Sequence, residues 1–254
     1  MILRRISAAL KRQDWATVCI EFVLVVAGIL IALQVTTLNE KRIAANNERQ
    51  FLERLHLEIQ NASDDLVIFS VGRIERRTIL GRIADIFFEE GEFRPLTEEE
   101  CYAIWGSHIH TYPPLELPTT TGIISSGQIN IISDQDLKSA ISRLGQVRAN
   151  ADAYFDIFNA TRLVLARAHP DLIELQFRAL PEAEATYQGD HQQRPICDHD
   201  AMRANRAFLN DFSDNAVRYK AYIATIILPQ IEQFEALHVE LDRVLGLSHQ
   251  EGAP

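Results

Sequence analysis

The chain has no Cys-x-x-Cys pair, no His-Glu-x-x-His and no phosphate-binding loop, so the signatures of a zinc finger, a metalloprotease and a nucleotide hydrolase are all missing. The nucleophile elbow Gly-x-Ser-x-Gly is missing too. Gly122 to Gly127 holds Ser125 and Ser126 between glycines, but at the wrong spacing, and a helix ending in Ser-Ser before a C-terminal glycine accounts for it. Positive charge is in deficit: 25 Lys+Arg against 35 Asp+Glu leave a net charge of -10. An acidic domain repels phosphate backbones, so nucleic acid is not an expected partner. Low-complexity tracts and repeats of solenoid length are absent, which argues against long disorder and against stacked-repeat folds. Cysteine is scarce, with 3 in 254 residues. Cys19 lies in the apolar N-terminal stretch. Cys101 and Cys197 lie beyond it, a pair suited to one disulfide in an oxidising compartment.

What is present begins with one long apolar run. From Phe22 to Leu33 every residue is apolar or Gly. With Ala16 to Ile20 and Gln34 to Val35 the run reaches about twenty residues, or about 30 Å of helix, one hydrocarbon core thick. Trp15 stands at its entry, where an amphipathic ring suits a membrane interface. Glu21 is the one defect, near enough to the entry side to reach headgroups or a partner helix. A cleaved signal peptide would need small residues before a cleavage site. Leu33, Gln34 and Val35 follow Ala32 instead, and no A-x-A pattern appears, so the run is expected to stay as an anchor. Gly28 and Ala32 stand four apart on the stripe of Glu21, a face on which two such helices could pair.

Orientation follows from charge and length. Arg4, Arg5, Lys11 and Arg12 precede the run, while Lys41, Arg42, Arg49 and Arg54 follow it, so the basic residues alone do not decide. A short basic tail resists translocation and a long acidic domain does not, which favours the N-terminus inside. About fifteen residues would then face the cytoplasm, too few for a folded domain there.

Helical spacing dominates beyond the run. Phe51, Leu55, Ile59, Ala62, Leu66 and Phe69 form one apolar stripe, extended by Ile74, Ile79, Ile83, Ile86 and Phe87, with a bend expected at Gly72 and an end by Gly91 and Pro95. Thr97 and Glu100 make a capping box. Pro118 suits a helix start and Gly127 its stop, while Ile129 to Ile132 reads as a strand or a buried turn. Ser133 with Asp136 opens a long helix expected to end by His169-Pro170. Residues 181–195 read as a polar loop. A last long helix starts at Asp198 or Asp200, is kinked or divided at Pro229 and ends at Gly246.

Several of these segments together resemble a widespread family of uncharacterised bacterial single-pass membrane proteins. The resemblance rests on Glu21-Phe-Val-Leu-Val-Val-Ala-Gly-Ile-Leu-Ile-Ala-Leu-Gln34 with Asn39-Glu40-Lys41-Arg42, on Leu117-Pro118-Thr119, Ser125-Ser126-Gly127, Ile131-Ile132-Ser133-Asp134 and Leu137-Lys138, and on Arg203-Ala204-Asn205, Phe208-Leu209-Asn210, Asn215, Arg218-Tyr219 and Tyr222. It departs at Leu38, where the family often has Trp, and at Lys138, where Arg is usual. It implies an inner-membrane protein with a helical domain, and no assigned activity.

A disulfide between Cys101 and Cys197 would bring His108 and His110 near His199, Asp198 and Asp200, a conceivable metal set. No defined zinc spacing matches, and a His-x-His in a loop is more often a solvated pair, so no metal, cofactor or catalytic residue is assigned. The expected fold is all-α: a basic tail (1–15), a transmembrane helix (16–37) continuous with a long helix of an irregular extracytoplasmic bundle (38–246), and a C-terminal tail (247–254). The expected partners are the lipid bilayer, a second copy of the chain, or an unknown membrane or periplasmic protein. The expected role is a non-enzymatic interaction or scaffold function in the bacterial envelope. A periplasmic ligand-sensing bundle working with a separate partner is the alternative, and an enzyme ranks last.

Overall fold

A computed structural model describes residues 15–88, 94–179 and 191–248. The basic tail, most of the segment read as a polar loop, and residues 249–254 lie outside the described residues. Helix α1 (Trp15–Phe88) is followed by α2 (Glu98–Trp105), α3 (Pro118–Ser125), α4 (Gln135–Ala160) and α5 (Leu165–Ala168). A β-hairpin of β1 (Ile173–Ala179) and β2 (His191–Cys197) precedes α6 (His199–Ala204), α7 (Arg206–Tyr222) and α8 (Leu228–Leu245). The fold is all-α apart from that hairpin. The chain divides into two units, residues up to Glu53 and residues from Arg54.

In the first unit α1 carries the apolar run, and no residue of its most apolar stretch is buried. Phe22, Leu24, Ile29 and Leu33 are each more than half exposed. By length and composition α1 is the one described helix able to cross a membrane.

In the second unit α1 supplies two buried groups to the interior, Leu55, Ile59, Ala62 and Leu66 at three- and four-residue steps, and then Ile79, Leu80, Ile83 and Phe87. The helix is continuous through Gly72, and a Cβ there would meet open space. Between Leu66 and Ile79 the inward positions turn polar, with Ser70 buried and Arg73 and Arg76 half-buried. Helix α4 packs along α8, while Phe208, Phe212, Tyr219 and Tyr222 of α7 are fully buried in the main core.

The helix ends follow from local chemistry, with some corrections to the sequence reading. The N-cap of α4 is Asp134, not Ser133: its carboxylate accepts from the Leu137 N–H at 2.9 Å. The helix also stops early, at Ala160, with α5 forming separately before His169-Pro170. The last helical region breaks at Asn205, which the sequence reading did not foresee, and again ahead of Pro229, where a kink or division was expected. Asp198 caps α6, the backbone extends at Asn205, and Asn205 caps α7 by accepting from the Phe208 N–H at 3.0 Å. Ahead of Pro229, residues Ile223–Ile227 widen into a π-helical turn. Proline has no N–H to donate to the preceding turn, and the buried Gln230 side chain donates to the Ile226 carbonyl at 2.7 Å.

A further correction is the hairpin, which takes in the end of the stretch read as a loop. It pairs antiparallel from Ile173↔Cys197 to Ala179↔His191. Ile173, Leu175 and Phe177 alternate with polar residues on β1, a period-2 signal. The β2 sequence shows no such alternation and contains Pro195, which a two-stranded sheet tolerates because each strand is an edge.

Helix α3 starts with Pro118 as read, and Leu117 at its N-cap makes no side-chain cap. Glu58 on α1 does that work instead. Its carboxylate accepts from the Thr119 N–H at 2.7 Å, the Thr120 N–H at 3.0 Å and the Thr120 hydroxyl at 2.9 Å. An anion at a helix N-terminus is favoured by the free N–H groups and the helix dipole. Replacing Glu58 with Ala should lower stability by about 1–3 kcal/mol, the range for losing charge-assisted hydrogen bonds. Thermal unfolding of the full chain in detergent measures this, and Glu58→Gln should recover part of the loss.

Candidate functional site

The polar groups of the second unit converge on the segment from Cys101 to Tyr112. Helix α2 begins with the predicted capping box: the Thr97 hydroxyl accepts from the Glu100 N–H at 3.2 Å, and the Glu100 carboxylate accepts from the Thr97 N–H at 2.9 Å. Arg94 grips the same carboxylate with two nitrogens, at 2.6 and 2.8 Å. That bidentate contact, aided by the Thr97 N–H, pulls the Glu100 carboxyl down to about 2 against the cost of its burial.

Cys101 follows on the first turn of α2, and Cys197 ends β2. Their sulfurs are joined, with Cα atoms 5.8 Å apart at a sequence separation of 96. Two further contacts run between α2 and β2: Arg194 to Glu98 at 2.8 Å, and the Tyr102 hydroxyl to the Gln193 carbonyl at 3.0 Å.

Beyond α2 the chain is clamped from α1 and α7. The Arg76 guanidinium lies where a Cβ on Gly106 would meet it at 3.1–3.3 Å, so the glycine admits the arginine. Buried Ser107 donates to the Ile104 carbonyl at 2.7 Å and accepts from the Asn215 amide at 3.0 Å, and that amide also donates to the Leu163 carbonyl at 2.9 Å. Arg73 lies over the Phe69 ring, donates to the Phe69 carbonyl, and donates from Nε to the Thr111 hydroxyl at 2.9 Å. The Tyr222 hydroxyl donates to the Thr111 carbonyl at 2.6 Å.

His110 sits inside this clamp, not in solvent. Its ring is 5.1 Å from that of Tyr222, 5.2 Å from Phe158 and 5.9 Å from Tyr219. Neither ring nitrogen has a hydrogen-bond partner among the described residues. Loss of hydration lowers its pKa to about 4, with the charges of His108 and Arg218 acting the same way. His108 turns elsewhere, its Nδ1 2.8 Å from the Trp105 carbonyl, and burial lowers its pKa as well.

The residues singled out in the sequence therefore separate. Asp198 caps α6, His199 stacks on Phe87 at 6.0 Å and lies 3.4 Å from Asp200, and His110 is enclosed by aromatic rings. The disulfide brings none of them into a ligand cluster among the described residues. Ser125 and Ser126 donate to the carbonyls of Gly122 and Ile123 in their own helix, as a helix end does. Gly28 and Ala32 are exposed on α1, and a Cβ at Gly28 would meet nothing within 4 Å. The Glu21 side chain lies outside what the structure describes.

One cluster was not foreseen. His56 on α1 and His238 and Asp242 on α8 place their ligating atoms within 4.8 Å of one another. His56 Nε2 is 2.7 Å from Asp242 Oδ1, His238 Nε2 is 3.7 Å from Asp242 Oδ2, and the two imidazole centroids are 5.0 Å apart. The i,i+4 spacing of His238 and Asp242 was visible in the sequence, but such a pair is ordinary on a helix surface. His56 stands 186 residues from Asp242, and only the fold joins them.

Replacing Cys101 and Cys197 with Ser should cost about 2–5 kcal/mol, since a loop of this length lies at the upper end of the entropy model. Thermal unfolding should show it, and added reductant should lower the wild-type midpoint alone. His110→Phe should act in the opposite direction, raising stability by about 1–3 kcal/mol as buried unsatisfied nitrogens are removed. The sign with pH follows from the lowered pKa. Between about 6.5 and about 4 the unfolded chain binds a proton that the folded chain does not, so wild-type stability falls with acidification by up to about 3 kcal/mol. Unfolding midpoints across that window should be flatter in His110→Phe. In comparisons with known proteins, no protein-family model, no curated protein and no solved structure matches the chain.

Proposed function

We propose that this chain is a single-pass bacterial envelope protein, held in the inner membrane by residues 16–37, whose helical domain serves a non-enzymatic interaction or scaffold role on the periplasmic side. The observation that carries the reading is the run of exposed large apolar side chains on α1. Phe22, Val23, Leu24, Val25, Ile29, Leu30, Ile31, Leu33 and Val35 are all more than half exposed. A contiguous apolar surface around a whole helix is costly in water and is covered at no such cost by lipid.

The disulfide supports the outward placement, because bridges persist in the periplasm and are rare in the cytoplasm. The basic N-terminal residues support the N-inside orientation. A scaffold role is favoured over chemistry because the buried polar side chains Ser107 and Asn215 hold backbone and one another. It is favoured over a small-molecule sensor because the main core is filled by Leu, Ile, Phe and Tyr. Partners belong to the same proposal: the bilayer, a second copy through the face of Gly28 and Ala32, or another envelope protein. Membership of the family resembled in sequence is part of this reading.

Membrane fractionation and reporter fusions test it. The full chain should stay with membranes after alkaline carbonate washing. A C-terminal alkaline phosphatase fusion should be active, and a fluorescent protein that matures only in the cytoplasm should be dark at the same position. A soluble mature form lacking residues 16–37, or the reverse reporter pattern, would overturn it.

A further inference from the structure

We infer that His56, His238 and Asp242 form a binding site for a divalent transition-metal cation of the zinc class, joining α1 to α8. The argument begins with the donors. Two imidazoles and one carboxylate are a borderline-soft set that suits Zn²⁺ and its neighbours, whereas Mg²⁺ and Ca²⁺ prefer oxygen alone. Zinc sites with three protein ligands commonly combine two histidines with one carboxylate and leave a further position for water or another ligand.

Geometry is the second part. His238 and Asp242 are one helical turn apart on α8, so both project from one face, and His56 meets them from α1. Each Nε2 addresses a different oxygen of the same carboxylate, at 2.7 Å for His56 and 3.7 Å for His238. Ligands bound at about 2.0–2.1 Å in a tetrahedron lie about 3.3–3.4 Å apart. The ligating atoms here, all within 4.8 Å of one another, bracket that separation.

Burial is the third part. The side chains are 5% exposed at Asp242, 11% at His238 and 15% at His56. An ion pair between His56 and Asp242 is the simpler account of the 2.7 Å contact, and it requires only one imidazole. The second imidazole, 3.7 Å from the other oxygen of the same carboxylate and 5.0 Å from the first ring, supplies the third donor that a shared cation needs. His169 and Asp211 show the contrast: they make the same contact, at 2.8 Å, with no third ligand gathered among the described residues. The inference does not depend on which side of a membrane the domain occupies.

The test uses the untagged full chain in detergent, stripped with a chelator, because a polyhistidine tag would bind the probe. Titration with Zn²⁺ against a chromophoric competitor should give one ion per chain. His238→Ala and Asp242→Asn should each weaken binding by roughly tenfold or more, given that even groups supporting a ligand from outside the first layer contribute that much. His169→Gln should leave the affinity unchanged. Zn²⁺ should raise the unfolding temperature of the wild type and not that of His56→Ala. Co²⁺ in the wild type should give the visible bands of a four-coordinate site, a readout that stands if a variant fails to fold. Absence of stoichiometric binding, or binding to the double variant His56→Ala/His238→Ala as tight as to the wild type, would overturn the inference.

Discussion

Burial of one face of α7 holds the domain in place. Phe208, Phe212, Tyr219 and Tyr222 are fully withdrawn from water, each contributing on the order of 1.5–3 kcal/mol or more by the area removed. Asn215 lies among them, buried, and hydrogen bonds from Asn215 and Tyr222 hold the chain that follows α2. Tyr222 reaches the Thr111 carbonyl, while Asn215 reaches Ser107 and Leu163. Irregular backbone can be buried only where its polar groups find partners, and α7 with α1 provides them. The run from Gly106 to Tyr112, a 3-10 turn followed by extended chain, is therefore part of the core.

The same constraint explains the arginines on α1. An apolar stripe that turns to Arg73 and Arg76 mid-helix looks like a flaw in amphipathic patterning. Arg73 meets Thr111 and Phe69, and Arg76 lies against Gly106 and over the Tyr219 ring. Long side chains with apolar stems and planar cationic heads fit this position, since they pack on rings while satisfying polar groups. His110 has the size and shape of an aromatic core residue, and neither its nitrogens nor the nearby Tyr219 hydroxyl find a hydrogen-bond partner among the described residues.

Two distant closures complete the unit. The Cys101–Cys197 bridge spans 96 residues and the His56–Asp242 contact 186. Smaller ties act alongside them: Glu58 caps α3 from α1, and Arg243 on α8 pairs with the N-cap Asp134 of α4 at 2.8 Å. In each case a helix end or a buried carboxylate is completed by a residue from another element. Such contacts remove orphan groups and fix the order of packing at once.

The sequence alone determined the features that arise from neighbours along the chain. The apolar run, the stripe Leu55, Ile59, Ala62 and Leu66, the Thr97–Glu100 capping box, the Pro118 start and the Gly127 and Gly246 stops all depend on spacings of a few residues, and composition reads them directly. Gly127 and Gly246 indeed take positive φ, at 67° and 71°. Tertiary structure decided the rest. A strand as weakly patterned as His191–Cys197 forms because β1 offers it a ladder and Cys101 holds its end. Asn205 breaks a helix that composition alone would continue, and a π-turn forms ahead of Pro229. His110 became a core residue, and His56 met His238 and Asp242, only when α1, α7 and α8 were packed. Spacing along a chain cannot report contacts between groups that meet only after the loops between them have closed.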